Sequence, residues 1–169
     1  MHRTVQAGSM IRTGEEELAR SQACLASGVA LIAVRGPDGL PRHARASAFN
    51  SVSLDPPLLL WCMKAEEFDA LGLAPNLSCG VSVLSDADAH LEIDAGARRP
   101  DAVWDCGDCL GVPVLGRAAA SFEAVMTRSM PQGDSVLCFA EVARFAYSAR
   151  PGLLRFAGQT VQFSAISDR

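Results

Sequence analysis

Asp55-Pro56-Pro57 stands directly between two strand-length stretches, RHARASAFNSVSL over 42–54 and LLLWCM over 58–63. Proline has no backbone N–H and holds φ near about −65°. Two in a row cannot occupy the middle of a sheet ladder. One stretch of pairing must end at the break and another must begin after it. Apart from Phe49, the residues of the stretch Ala46-Ser47-Ala48-Phe49-Asn50-Ser51 before it are small or polar, whereas those after it are apolar. Asp55 is expected to cap the turn, because an aspartate side chain accepts hydrogen bonds from nearby backbone N–H groups.

The rest of the chain repeats this alternation of short apolar runs and turn signals. VALIAVR over 29–35 reads as a buried strand and is followed by the turn signal GPDGLP. CGVSVLS over 79–85 is another strand, and from Pro113 the pattern is strand-like to the end, punctuated by PQGD and RPG. Residues 15–26 suit a helix, with acidic side chains in its first turn and Leu18 and Leu25 on one face. EEFDALGLAPN reads as a second short helix stopped by Pro75, and DADAHLEIDAGA is helix-compatible until Arg98-Arg99-Pro100. Six or more strands joined mostly by hairpin-length turns predict an antiparallel barrel with helices packed outside it. The 169 residues suffice for one domain, expected over 15–169 behind a flexible arm over 1–14.

Charge and composition narrow the partners. The net charge is −4 and no Lys/Arg cluster offers a phosphate-neutralising face, so nucleic acid is not expected. No apolar run is long enough to span a bilayer, so no membrane is expected. The first residues lack an apolar signal core, and the expected location is the cytoplasm. There is no GxGxxG, P-loop or GxSxG. His2, His43 and His90 are scattered and are expected at the surface. Four of the six cysteines lie singly in apolar runs, where a thiol packs as a small hydrophobe. Cys106-Gly-Asp-Cys109 is a single CxxC; zinc needs two further ligands, so no metal is expected. Adventitious thiols are the plainest account of it, with a redox dithiol and, behind it, a metal site as the alternatives.

ASGVALIAVRGPDG, ASAFNSVSLDPPLLLWC, CGVSVLS, GVPVLGRAAASFEA and PQGDSVLCFAEV, in this order, resemble the flavin reductase-like family. The resemblance spans roughly residues 18–162. It implies a mainly β fold, a six-stranded antiparallel split barrel of Greek-key type with short flanking helices. It also implies a homodimer, FMN or FAD in a groove near the subunit interface, and NADH or NADPH as the donor of a hydride to flavin N5. A partner monooxygenase would receive the reduced flavin.

By the same resemblance Ala46, Ser47, Ala48, Phe49, Asn50 and Ser51 would line the flavin ring, with Ser82 nearby, and Arg45 would reach the flavin O2 or the phosphate, or else stand as a solvent-exposed strand arginine. Small side chains there let the backbone approach a flat ligand. A bare strand offers a second account of Ser47, Asn50 and Ser51, as the solvent face of a half-buried ladder. Cys62, Met63 and Lys64 would lie toward the flavin phosphate.

Three places depart from the family pattern. The phosphate turn carries Glu66 and Glu67 in place of hydroxyls. Ser135 stands where the family has a catalytic His, and Ala157 and Thr160 stand where it has Arg and Tyr. Arg155 would share a face with Ala157 if that segment is a strand. The resemblance thus supports an NAD(P)H:flavin reductase, or alternatively a flavin- or small-ligand-binding barrel that has lost that activity. A thiol-redox protein acting through Cys106 and Cys109 is a third account.

Overall fold

Among the described residues of the computed structural model every strand pair is antiparallel. The structure describes residues 14–87, 104–157 and 159–162. All of the expected arm but Gly14, the polar stretch after Ala87, His2 and His90 lie outside the described residues. The elements in chain order are α1 (Glu15–Gln22), β1 (Ser27–Gly28), β2 (Ala30–Arg35), β3 (Pro41–Ala46), β4 (Ala48–Leu54), β5 (Pro57–Lys64), α2 (Ala65–Leu71) and β6 (Ser78–Val83). Then come β7 (Trp104–Cys106), β8 (Pro113–Leu115), β9 (Ala120–Gln132), β10 (Ser135–Tyr147), β11 (Leu153–Phe156) and β12 (Gln159–Gln162).

The main sheet has seven strands in the order β3-β2-β6-β9-β10-β5-β4. Its two edge strands, β3 and β4, are consecutive in the chain and joined by Ser47 alone. A sheet whose outer edges are one residue apart has to curl into a barrel split at that corner. The stretch 42–54, expected as one extended segment, is therefore two strands on opposite sides of the split. Six expected strands become seven for this reason.

The proline break resolves differently from expectation in one respect. Asp55 and Pro56, joined by a cis peptide, form the turn of a tight hairpin, and Pro57 opens β5 opposite Leu54. β4 therefore stays paired along its length to β5, from Ala48↔Cys62 to Leu54↔Pro57, with an irregularity between Ser51 and Ser53. The turn is capped by Ser53, whose Oγ accepts the Asp55 N–H at 3.2 Å. The expected capping by the Asp55 carboxylate is replaced by a hydroxyl two residues earlier.

Side chains alternate across the barrel wall. Ile32, Trp61, Met63, Val81, Met126 and Cys138 are among those that fill the interior, each large apolar one contributing about 1.5–3 kcal/mol by its burial. α2 packs against β3, β5 and β10 and puts Leu71 into this core, followed by Leu73. Its stop is Gly72, left-handed at φ 64°, rather than Pro75. α1 ends at Gln22, and both Leu18 and Leu25 are exposed, so the apolar face expected there does not form.

A second core lies outside the barrel wall, where Val29, Leu31 and Leu84 meet Leu115, Ala118 and Leu153, with Trp104 packed against them. Leu115 comes from the β7–β8 hairpin and Leu153 from a small sheet of β1, β11 and β12. His43, expected at the surface, is 6% exposed because Trp104 covers it, ring centroids 5.2 Å apart. β8 crosses β6 so closely that a Cβ on Gly80 would fall on the Pro113 carbonyl oxygen. Gly80→Ala is thus expected to lower the unfolding free energy by about 1–3 kcal/mol through overpacking. Urea denaturation checks this, and an unchanged midpoint with an unchanged slope would count against the β6–β8 contact.

Candidate functional site

Ser47 sets the corner from which the candidate site is built. Its N–H and its Oγ–H both donate to the Cys62 carbonyl, at 2.7 and 3.0 Å. That leaves β4 as a sheet edge, with β5 on one side and the split on the other. Every second residue of an edge strand turns its N–H and C=O away from the ladder, where they can meet a ligand. Ala48, Asn50 and Ser51 are exposed, so little side-chain bulk screens that backbone.

The register carries the site across three strands. Ala48 lies beside Cys62, and Cys62 lies beside Leu137 of β10. Two residues further along β5 on the same face, Lys64 lies beside Ser135. Asp134, in the turn between β9 and β10, ties this end together. Lys64 Nζ donates to Asp134 Oδ2 at 2.6 Å, and Ser135 Oγ donates to Asp134 Oδ1 at 3.0 Å. The Ala65 N–H donates to the Asp134 carbonyl at 3.2 Å. The result is a small-sided floor with a paired Lys–Asp–Ser cluster at one end.

The expected residues therefore divide. Ser47, Ala48, Asn50, Cys62, Lys64 and Ser135 lie on this outward face or at its corner, whereas Ser51, though exposed, pairs with Leu59 of the core and so falls on the other face of β4. Arg45 is half-buried on β3, two residues before the corner. Phe49 turns the other way and packs against the barrel core. Ala46 and Met63 are buried in that core, so only their backbone can serve a ligand. Ser82 is a correction: it is 0% exposed, and its hydroxyl accepts the Leu115 N–H at 3.0 Å. It fastens the β7–β8 hairpin and cannot reach the floor. Arg155 and Ala157 do not share a strand face either. Ala157 is in a turn with φ 52°, and Arg155 faces Thr160 across the β11–β12 ladder.

Asp134 and Leu137 were not legible as site residues, because only strand register brings them beside Lys64 and Cys62. Glu66 and Glu67 fall in the first turn of α2, and Glu67 turns back to accept the Lys64 N–H at 3.4 Å. The face fits the flat part of a flavin, since its floor is open and small-sided. Its cation is already neutralised, so it offers a phosphate a weak grip. A separate cavity of about 490 Å³, lined in part by Asp105, Cys106, Asp108, Glu123, Arg144 and Tyr147, lies at the far end of β10.

The Flavin reductase like domain matches residues 22–163, and the chain belongs to that family. The NADH-dependent FAD reductase of Streptomyces globisporus is 30% identical over 154 residues, 84% of this chain and 82% of that protein. The stachydrine N-demethylase reductase subunit of Rhizobium meliloti (strain 1021) is 32% identical over 130 residues, 74% of this chain. This match spans only 56% of that relative's length. Among solved structures, the Streptomyces globisporus NADH:FAD oxidoreductase in complex with NAD and FAD fragments superposes with a TM-score of 0.82 at 26% identity. That alignment covers 99% of this chain and 100% of the other.

The hydrogen bond from Lys64, then that from Ser135, holds the Asp134 carboxyl below the ordinary carboxylate range. The same contact with Asp134 holds the Lys64 ammonium above its ordinary value. A lowered carboxyl binds its proton less well folded than unfolded. The contact is therefore complete above the ordinary carboxylate value and is lost as pH falls through the lowered one. A carboxyl-detected NMR titration of Asp134 is expected to show a midpoint below the ordinary value of about 3.9. Lys64→Met should bring that midpoint up toward it, and no movement would mean that the pair does not persist in solution.

Proposed function

We propose that this protein is an NADH-dependent flavin reductase that takes FMN or FAD at the β4–β5–β10 face. The observation that carries this is the open edge of Ala48, Asn50 and Ser51 at the barrel split. The likeness to the Streptomyces globisporus enzymes supports NADH as the donor. The flavin supplies the hydride acceptor, and the chain supplies orientation. The β4 backbone edge binds the polar rim of the ring, and Asn50 adds a side-chain hydrogen bond there. Cys62 and Leu137 pack under it. Ser135 has a hydroxyl committed to Asp134 and cannot carry a positive charge as a histidine can, so it orients rather than protonates.

Lys64 spends its charge on Asp134, which suits a flavin that comes and goes as a substrate rather than one held permanently. The reduced flavin then passes to a separate oxygenase; the fact that one relative is the reductase subunit of an N-demethylase supports a partner enzyme. All six cysteines are free, which suits the reducing cytoplasm. No helix among the described residues is long and apolar enough to cross a membrane.

Purified protein is expected to be colourless and to consume NADH only when FMN or FAD is added. Ala48→Phe should raise the flavin KM by roughly tenfold or more by filling the floor, with the fold unchanged by circular dichroism. Flavin binding without NADH loss would favour the barrel that has lost its activity, and no binding would remove both.

We also infer a homodimer through the tip of the β4–β5 hairpin. Leu54 is 90% exposed and Val52 stands exposed beside the same turn, apolar surface that a second copy would cover. Leu54→Asp is expected to convert dimer to monomer at micromolar concentration in light scattering. A wild-type monomer under the same conditions would overturn the inference.

A further inference from the structure

Cys106-Gly107-Asp108-Cys109 takes no part in the flavin face, yet three charged side chains hold its loop. Arg35, the last residue of β2, donates Nη2 to the Cys106 sulfur at 3.3 Å and to the Gly111 carbonyl at 2.8 Å. Its Nη1 donates to the Gly39 carbonyl at 3.0 Å, which fixes the guanidinium in place. Glu123, 5% exposed, accepts the Cys109 N–H at 3.1 Å and the Leu110 N–H at 2.5 Å. Arg144 pairs with the Asp108 carboxylate at 2.8 Å, neutralising the negative charge that lies between the two cysteines in sequence. The Gly107 N–H closes the loop on the Val112 carbonyl at 2.8 Å.

The thiols of the chain differ sharply in what they can do. Burial pushes Cys79 and Cys138 up to about 12, and burial raises Cys62 as well, so these three pack rather than react. Cys106 and Cys109 are both free and exposed. Cys106 also opens onto the 490 Å³ cavity. It is an exposed sulfur with a guanidinium N–H on it and a second exposed thiol three residues away. Two sulfurs alone do not make a zinc site, and no group of three or more metal-ligating side chains occurs among the described residues.

We propose that Cys106 and Cys109 form a dithiol site oxidised by hydrogen peroxide, with Cys106 as the attacking sulfur and Cys109 as the resolving one. Cys106 sulfur attacks a peroxide oxygen. An S–O bond forms, the O–O bond breaks, and the departing oxygen leaves as water after taking up protons. Cys109 sulfur then attacks the sulfenic sulfur. The S–S bond forms, the S–O bond breaks, and hydroxide leaves with the Cys109 proton as a second water. Two thiols lose two electrons, and one peroxide becomes two waters. Arg35 acts as a positioning residue: it holds the Cys106 sulfur and balances the negative charge that the attack requires.

The test uses the full-length reduced protein, hydrogen peroxide and dimedone, read by peptide mass mapping, and needs no flavin. Wild type is expected to lose two hydrogens and to give a Cys106–Cys109 disulfide. Cys109→Ser should trap dimedone on Cys106, whereas Cys106→Ser should trap none on Cys109. Arg35→Ala should slow trapping in the Cys109→Ser background by about tenfold, with Arg35→Lys recovering part of the rate. Dimedone on Cys24 in preference to Cys106, a disulfide that involves Cys24, or no oxidation of the pair would each overturn the proposal.

Discussion

The hydrogen bonds of Ser47 to the Cys62 carbonyl sit at the point on which the fold turns. Through its N–H and its hydroxyl one residue fastens the corner between the two edges of a seven-stranded sheet. Because β3 and β4 are consecutive, the sheet must curl until its first and last strands stand either side of that corner. The split is therefore a product of connectivity, and the open β4 backbone is its consequence. Fully closed barrels have no free edge to offer a ligand. This one keeps an edge and lines it with alanine, asparagine and serine.

The wall of the barrel has two uses. Its inner face holds the main core, and its outer face near β2 and β6 carries a second one covered by the β7–β8 hairpin and the C-terminal sheet. Gly80 allows β8 to press on β6, while the Ser82 hydroxyl fastens the same hairpin from beneath. The loop at the tip of that hairpin is held by a buried carboxylate and two guanidinium groups, each with a named partner. A buried carboxylate is costly unless hydrogen-bonded, and Glu123 meets that need with two backbone N–H groups from the loop. The loop and the buried acid thus depend on each other.

Much of the candidate site was readable as residue types and little of it as geometry. Small side chains before the prolines marked the floor, because bulk in an edge strand would screen its backbone. Glu66 and Glu67 were readable as a hindrance to phosphate binding, yet their placement in the first turn of α2 depended on where β5 stopped. Ser82 looked like any serine on a strand, and only the hairpin packed over it showed that its hydroxyl was already engaged. His43 looked polar and scattered until Trp104, far along the chain, covered it. Asp134 could be seen only as a turn residue, since its partner Lys64 lies seventy positions away in sequence.

By itself the sequence determined most of the elements: strands where apolar residues run between turn signals, a break at Asp55-Pro56-Pro57, a second short helix ended before Asn76, and the resemblance to the family to which the whole belongs. These are local matters, decided by backbone chemistry within a few residues. Tertiary structure alone decided that 42–54 breaks into two edge strands, that Lys64 is neutralised, and that Cys106 meets Arg35. Each of those depends on which strands become neighbours and in what register. Antiparallel pairing joins residues far apart in the chain, and no local propensity encodes that distance.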